Sequence, residues 1–358
     1  MTEANAAPLR DPWNLAGKTV GGRYEVSALV AEGGSGRVYK AADRAGGGLV
    51  ALKVLRPDPD AEEREVLDVG AEFEQEIAAL DRLEHPVIVP CVGHGEVDIG
   101  RGRRALFLAL EWVDGVTLDK HLEAVGRLSP AEALALLRPL LDALAQAHSV
   151  GIAHRDLKPG NVMVEGSPAR PRVRLLDFGI AKLMSPDEAL GEHTALTLSR
   201  NPAFSPAYAA PEQLSGAKTG PWTDVHAAAL LITQAIVGAA PYRGVGFAAM
   251  LREALSPQRP TPRAHGVDAG PLEAVLEQAL ALRPQGRFQS VVELRDALDA
   301  LGRAGAAGTP EPAGTPEPAG TPEPAGTPEP ARRFPVEIAV GVGAGVLLAV
   351  GVAVALFR

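Results

Sequence analysis

Apolar positions near the start of the chain recur with the two-residue period of strands. Arg23–Leu29 alternates in this way, Val38–Ala42 is strand-like, and Leu49–Leu55 is a short apolar run rich in Val and Leu. The pattern predicts an antiparallel hairpin followed by a third strand. The period then lengthens: Phe73, Ile77, Leu80 and Leu83 recur every three or four residues and predict a helix. Val87–Val92 and Ala105–Trp112 predict two more strands. Beyond Gly115 the pattern is helical. Ser129-Pro-Ala-Glu132 reads as a capping box with Pro at the first helical position, opening a helix that runs to Ala147. Pro139 inside it removes a backbone donor and is expected to bend it. Val162–Val164 and Val173–Leu176 read as short strands. Asp224–Val237 is apolar nearly all round, like a helix buried in a large core. Glu273–Leu282 and Ser290–Leu301 read as closing helices, and residues 1–22 as a loose leader.

The pattern then breaks. From Thr309 the unit Thr-Pro-Glu-Pro-Ala-Gly repeats, and four Thr-Pro-Glu-Pro-Ala copies end at Ala331. Such proline density blocks both helix and sheet ladders and predicts an extended tether. Its 23 residues could reach roughly 70 Å at ~3.1 Å each. The tract reads first as an inert spacer, with Thr309, Thr315, Thr321 and Thr327 as phosphoacceptors in the alternative reading. Ile338–Phe357 is a run of twenty uncharged residues, the length of a bilayer's hydrocarbon core. Arg332 and Arg333 precede it, so the positive-inside rule puts the long N-terminal part in the cytoplasm. The expected arrangement is a single-pass anchor in a membrane, with Gly341 and Gly345 offering a G-x-x-x-G face for a homodimer.

Composition narrows the partners. The 358 residues carry a net charge of −9 and are 46% apolar, which suits a globular chain of two domains without a basic stripe for nucleic acid. Cys91 is the single cysteine, which rules out an intrachain disulfide and a cysteine zinc site, and suits a reducing compartment. Met1–Arg10 shows no secretory signal pattern.

Candidate chemistry lies in motifs set between these elements. Val30-Ala-Glu-Gly-Gly-Ser-Gly-Arg-Val-Tyr39 fits G-x-G-x-x-G-x-V at Gly33, Gly36 and Val38, with Ala31 where the first glycine belongs. Val50-Ala-Leu-Lys53 follows it. Then come His154-Arg-Asp-Leu-Lys-Pro-Gly-Asn161, Asp177-Phe-Gly179 and Ala210-Pro-Glu212. With five motifs in this order, about residues 20–301 resemble the bacterial Hanks-type (eukaryotic-like) serine/threonine protein kinases.

The resemblance implies an α+β, bilobal protein-kinase fold with a small β-rich N-lobe and a large helical C-lobe. The expected layout is a flexible leader over 1–22, an N-lobe and hinge over 23–113 and a C-lobe over 114–301. A repeat linker and juxtamembrane segment follow over 302–335, then a transmembrane helix over 336–357. The implied activity is transfer of the ATP γ-phosphate to Ser/Thr hydroxyls of protein substrates, including the chain's own activation segment, with Mg²⁺ or Mn²⁺. A catalytically weak, membrane-tethered scaffold with the same fold is the alternative.

Roles carry over motif by motif. Lys53 corresponds to the lysine that holds the α- and β-phosphates, and Glu76, nine residues before His85-Pro86, to its helix carboxylate partner. Asp156 corresponds to the acid that accepts the substrate hydroxyl proton, and Lys158 to the lysine that stabilises the transferred phosphoryl. Asn161 and Asp177 are hard oxygen ligands for the metal. His154 reads as a structural histidine. For the nucleotide, the loop supplies Val30, Ala31, Gly33, Gly34 and Gly36. Val38 and Ala51 would roof the adenine and Met163 would floor it, with Glu111 and Val113 as the backbone hinge and Leu110 as gatekeeper. Arg155 implies a phosphate partner on the segment 177–212, where Thr194, Thr197 and Ser199 are candidate phosphosites and Ser205 is expected to bond Asp156 and Lys158. Glu212 and Arg287 are expected to form a buried structural ion pair. Two departures stand out: Phe204 replaces a usual glycine before Ser205, and Ala31 adds a methyl that disfavours positive φ. Weaker ATP binding, not its loss, is expected from Ala31.

Overall fold

The computed structural model describes residues 9–34, 36–57, 77, 83–167, 170–177, 207–244 and 246–307. Glu76, the stretch 178–206 with its candidate phosphosites and Ser205, the repeat and the apolar C-terminal run all lie outside the described residues.

Six strands form one antiparallel sheet: β1 (Thr19–Val20), β2 (Tyr24–Gly33), β3 (Gly36–Asp43), β4 (Leu49–Leu55), β5 (Cys91–Asp98) and β6 (Arg104–Glu111), in the order β1-β2-β3-β4-β6-β5. Its alternating inward residues, among them Tyr39, Leu52, Val54 and Phe107, close one core. β7 (Gly115–Thr117), β8 (Val162–Ser167) and β9 (Arg170–Leu175) form a second small sheet. The helices are α1 (Leu118–Val125), α2 (Pro130–Ser149), α3 (Pro211–Leu214), α4 (Pro221–Val237), α5 (Phe247–Ala254), α6 (Leu272–Ala279) and α7 (Val291–Ala307). Helix α4 is buried along nearly its whole length, from Thr223 to Ile236, and is the axle of the helical core. Ser129 and Glu132 close the capping box that starts α2, and the helix continues past Pro139 to Ser149.

Four expectations need correction. The strand placed at Val87–Val92 begins instead at Cys91, because Pro90 has no N–H for a ladder. Residues before it cross to the small sheet: Ile88 bridges Leu175, whose carbonyl accepts from Val89 N–H at 3.0 Å. The glycine-rich stretch, read as a loop between strands ending at Leu29 and starting at Val38, is mostly strand. Strands β2 and β3 run into it until Gly33 pairs with Gly36. Helix α7 continues to Ala307, past the boundary set at Leu301. The residues added are Gly302-Arg-Ala-Gly-Ala-Ala307, and the first proline comes only at Pro310. Alanine sustains a helix, and nothing in that run forbids one.

The leader is the fourth. From Asp11 onward it is packed, not loose. One Asp11 carboxylate oxygen accepts from Leu15 and Ala16 N–H (2.6 and 2.9 Å), the other from Trp13 N–H and the Tyr39 hydroxyl (3.1 and 2.8 Å). Leu15 is 1% exposed, and the Arg37 guanidinium stacks on the Trp13 ring at 4.0 Å. A carboxylate with four donors folds back the segment that carries it.

Burial raises the Asp11 pKa, but these hydrogen bonds outweigh it and hold the carboxyl below its ordinary value. Its contribution to stability is therefore present above the unfolded-state pKa and is lost as pH falls through the folded value. Asp11→Asn is expected to cost about 1–3 kcal/mol at pH 7 and less at pH 3, as measured by urea denaturation. A variant as stable as the parent at pH 7 would contradict this packing.

Candidate active site

The site begins with a strained backbone. Arg155 has φ +60°, a conformation that disfavours side chains bearing a Cβ. The constraint that maintains it is Asp224 of α4, which is 0% exposed. One Asp224 oxygen accepts from Arg155 N–H at 2.8 Å, and the other from His154 N–H and the His148 ring, both at 2.7 Å. Burial alone would raise the Asp224 pKa, but the histidines and the N–H donors hold it below the ordinary carboxylate value. His154 is itself fully buried, its Nε2 within 2.9 Å of the Leu176 carbonyl.

Asp156 projects from this braced turn. Its Oδ2 accepts from Lys158 Nζ at 2.7 Å and from Asn161 Nδ2 at 3.1 Å. Asn161 Nδ2 also donates to the Asp156 carbonyl at 2.7 Å. The amide nitrogen is thus committed to Asp156, which leaves its carbonyl oxygen as a ligand atom. Leu176 N–H donates to the Asn161 carbonyl at 2.8 Å, so the turn carrying Asp156 and the strand end carrying Asp177 are bonded neighbours.

Asp177 also has a left-handed φ, +57°. Its Oδ2 accepts from the buried Lys53 at 2.7 Å. The sequence paired Lys53 with Glu76, which lies outside the described residues; the carboxylate it meets here is Asp177. Asp177 Oδ1 is buried and has no hydrogen-bond partner among the described residues. A buried carboxylate oxygen left open, with the Asn161 side chain on a turn bonded to the same strand end, fits a hard divalent cation such as Mg²⁺.

The expected adenine slot is largely brought together. Ala51, Val113, Met163, Leu110 and Leu176 pack as one small apolar cluster. Val38 lies across the β3–β4 ladder from Lys53, and Val30 is 40% exposed on β2. Glu111 is at the end of β6, where its carboxylate accepts from Arg174 at 3.1 Å. A cavity of about 500 Å³ opens behind Leu110, between His85, Cys91, Leu108 and Asp177.

Ala31 is extended, paired with Val38 and exposed, and it is not among the positive-φ residues. The backbone there does not require glycine. Gly36 is different: at φ +153°, a Cβ would collide with the Val54 carbonyl. A Cβ on Gly33 would meet nothing within 4 Å, and Gly34 occupies the turn. Two arginines brace the tip. Arg37 bonds Glu32 at 2.6 Å, and Arg56 bonds the Gly33 carbonyl at 3.2 Å.

Farther from the cleft, Glu212 and Arg287 form a bidentate pair, both bonds 2.8 Å, with side chains 2% and 0% exposed. Thr223 donates to Glu212 at 2.9 Å. Arg155 Nε is buried without a hydrogen-bond partner among the described residues. The sequence reading missed Asp224 and Gln213 as parts of this site. An aspartate opening an otherwise apolar helix was the one available signal for Asp224. Gln213 gave none.

Comparison with known proteins agrees with this geometry. The family model for the protein kinase domain matches residues 24–290. The chain belongs to the protein kinase domain family. It is 33% identical over 299 residues to the serine/threonine-protein kinase pkn3 of Myxococcus xanthus, covering 82% of this chain and 52% of the relative. It is 33% identical over 295 residues to PknA of Mycobacterium tuberculosis, covering 81% of this chain and 63% of that one. The chain thus spans only about half to two thirds of the length of these curated relatives. The crystal structure of the Mycobacterium tuberculosis PknI kinase domain superposes with a TM-score of 0.60 at 29% identity, covering 80% of this chain and 98% of that domain. The relatives are bacterial Hanks-type serine/threonine kinases.

Removing one partner of a fully buried ion pair leaves the other charge uncompensated. Arg287→Met is expected to destabilise the full chain by roughly 3–5 kcal/mol, and Glu212→Leu with Arg287→Met to recover much of that loss. Urea midpoints of the parent and both variants check this. A double variant as unstable as the single one would contradict it.

Proposed function

We propose that the chain is an ATP-dependent serine/threonine protein kinase that phosphorylates its own activation segment and other proteins. The observation that carries this reading is the linked pair of contacts, Lys53 on Asp177 and Asn161 on Asp156, joined through the Leu176–Asn161 bond. Phosphoryl transfer asks a protein mainly for positioning and charge neutralisation, and this set supplies both. Lys53 holds the α- and β-phosphates. Asp156 accepts the proton of the substrate hydroxyl, with its carboxylate fixed by Asn161 and Lys158. Lys158, on entry of substrate, turns its charge toward the transferred phosphoryl. Asn161 and Asp177 would hold Mg²⁺, for which Mn²⁺ could substitute on the same oxygen donors. A cation held there would supply positive charge to offset that of the phosphates. The apolar cluster around Ala51, Val113 and Met163 receives adenine, with hinge hydrogen bonds from the Glu111–Val113 backbone.

The remaining sequence expectations extend this reading. Glu76 supports Lys53, and phosphates on Thr194, Thr197 or Ser199 answer Arg155. Ser205, outside the described residues, is expected to bond Asp156 and Lys158. Among the described residues no helix is long and apolar enough to cross a membrane. Residues 336–357 are the proposed anchor, with the kinase lobes on the cytoplasmic side of a bacterial inner membrane. Gly341 and Gly345 supply a dimer face for phosphorylation in trans.

The full chain incubated with labelled Mg-ATP is expected to label itself, on Thr197 or Ser199, whereas an Asp156→Asn copy does not. If neither copy labels itself or a generic protein substrate at millimolar ATP, the catalytically weak scaffold reading replaces this one. The anchor has its own check. The chain is expected to stay with membranes through an alkaline carbonate wash, and a chain ending at Pro335 to be released. Retention of both, or release of both, contradicts the anchor.

A further inference from the structure

Gln213 lies one residue beyond the Ala210-Pro-Glu motif and has two jobs. Its Oε1 accepts from Ala210 N–H at 2.9 Å, which caps α3. Its Nε2 donates to the Arg155 carbonyl at 2.8 Å, a bond that capping does not require. That carbonyl belongs to the peptide joining Arg155 to Asp156. The N–H of the same peptide donates to the His154 carbonyl at 2.8 Å. Arg155 N–H, on its other side, is held by Asp224. The left-handed residue before the proposed catalytic acid is therefore pinned from two helices, α4 through Asp224 and α3 through Gln213.

Without the Gln213 amide, the Arg155 carbonyl loses its partner and the peptide plane is free to rotate toward less strained backbone. Asp156 would rotate with it. A displacement on the order of 1 Å at a reacting group can cost about a hundredfold in rate.

We propose that Gln213 is a positioning residue that fixes the Arg155–Asp156 peptide and couples the Ala-Pro-Glu end of the activation segment to the acid. This rests on the kinase reading above. It makes the segment's C-terminal anchor part of the machinery that aims Asp156, so disorder at Ala210 would be felt as lost turnover rather than lost nucleotide binding.

Two variants separate the two jobs. Gln213→Glu keeps the acceptor for Ala210 and the length of the side chain, but replaces the donor to Arg155 with an oxygen. Gln213→Met removes both bonds at similar volume. In the full chain, both are expected to lower kcat for a generic protein substrate 10- to 100-fold, with KM for ATP within about twofold of the parent. Amide exchange in a peptide covering 152–158 is expected to quicken in both, while melting temperature in Gln213→Glu stays within a few degrees. Unchanged kcat and unchanged exchange in Gln213→Glu would overturn the proposal. So would a melting-temperature collapse with normal kcat per folded molecule. If the parent itself transfers no phosphate, the kinase reading fails. The exchange comparison then still decides whether Gln213 pins the peptide.

Discussion

One buried carboxylate organises this molecule's chemistry. Asp224 is wholly enclosed in the helical core, yet its acceptors face outward onto the turn at 154–156. A buried charge is costly unless donors surround it. Here the donors are the His148 ring and two backbone N–H groups, so the requirement to satisfy Asp224 dictates the path of the turn. The positive φ of Arg155 follows from that demand. Asp156, Lys158 and Asn161 then inherit their places from it.

The cleft is built in the same manner, by backbone first. Leu175 and Leu176, at the end of β9, bond in turn to Val87, Val89, His154 and Asn161. That short run ties the crossing segment before β5, the turn at 154–161 and Asp177 into one frame. Lys53 reaches it from β4, deep in the other sheet, and its bond to Asp177 spans 124 residues of sequence. Such contacts assemble only when the strands and helical core are both formed. The glycine hairpin lies over this frame on a firmer base than its composition suggests, held by Glu32, Arg37, Arg56 and the packed segment from Asp11 to Val20.

Much of this was legible in the sequence, for identifiable reasons. Strands β2 to β4, the capped helix α2 and the apolar helix α4 carry strong period or cap signals, and the structure contains all of them. The motifs carrying Lys53, Asp156, Asn161 and Asp177 announced themselves because their chemistry needs particular residue types at particular spacings. Elements without periodicity stayed hidden. β5 reads Cys-Val-Gly-His-Gly-Glu-Val-Asp, whose glycines and charges hid all of the strand beyond Val92, which pairs with its neighbour β6. The order of the leader depends on Asp11 meeting Tyr39, 28 residues away, a tertiary event that no local window reports. Gln213 was equally invisible, since its meaning lies in a carbonyl 58 residues upstream. Ala31 shows the converse: a departure from the motif that the strand backbone absorbs without strain.

The most direct measurement is the turnover of an Asp224→Asn chain compared with the parent, both with Mg-ATP and a protein substrate. Asparagine keeps the size and one acceptor but replaces the second oxygen with a donor facing an N–H, and it removes the charge that the histidines and backbone surround. If Asp224 sets the turn that aims Asp156, kcat falls by at least about tenfold while the chain stays folded and is still stabilised by Mg-ATP. Turnover equal to the parent in a folded Asp224→Asn chain would contradict the account.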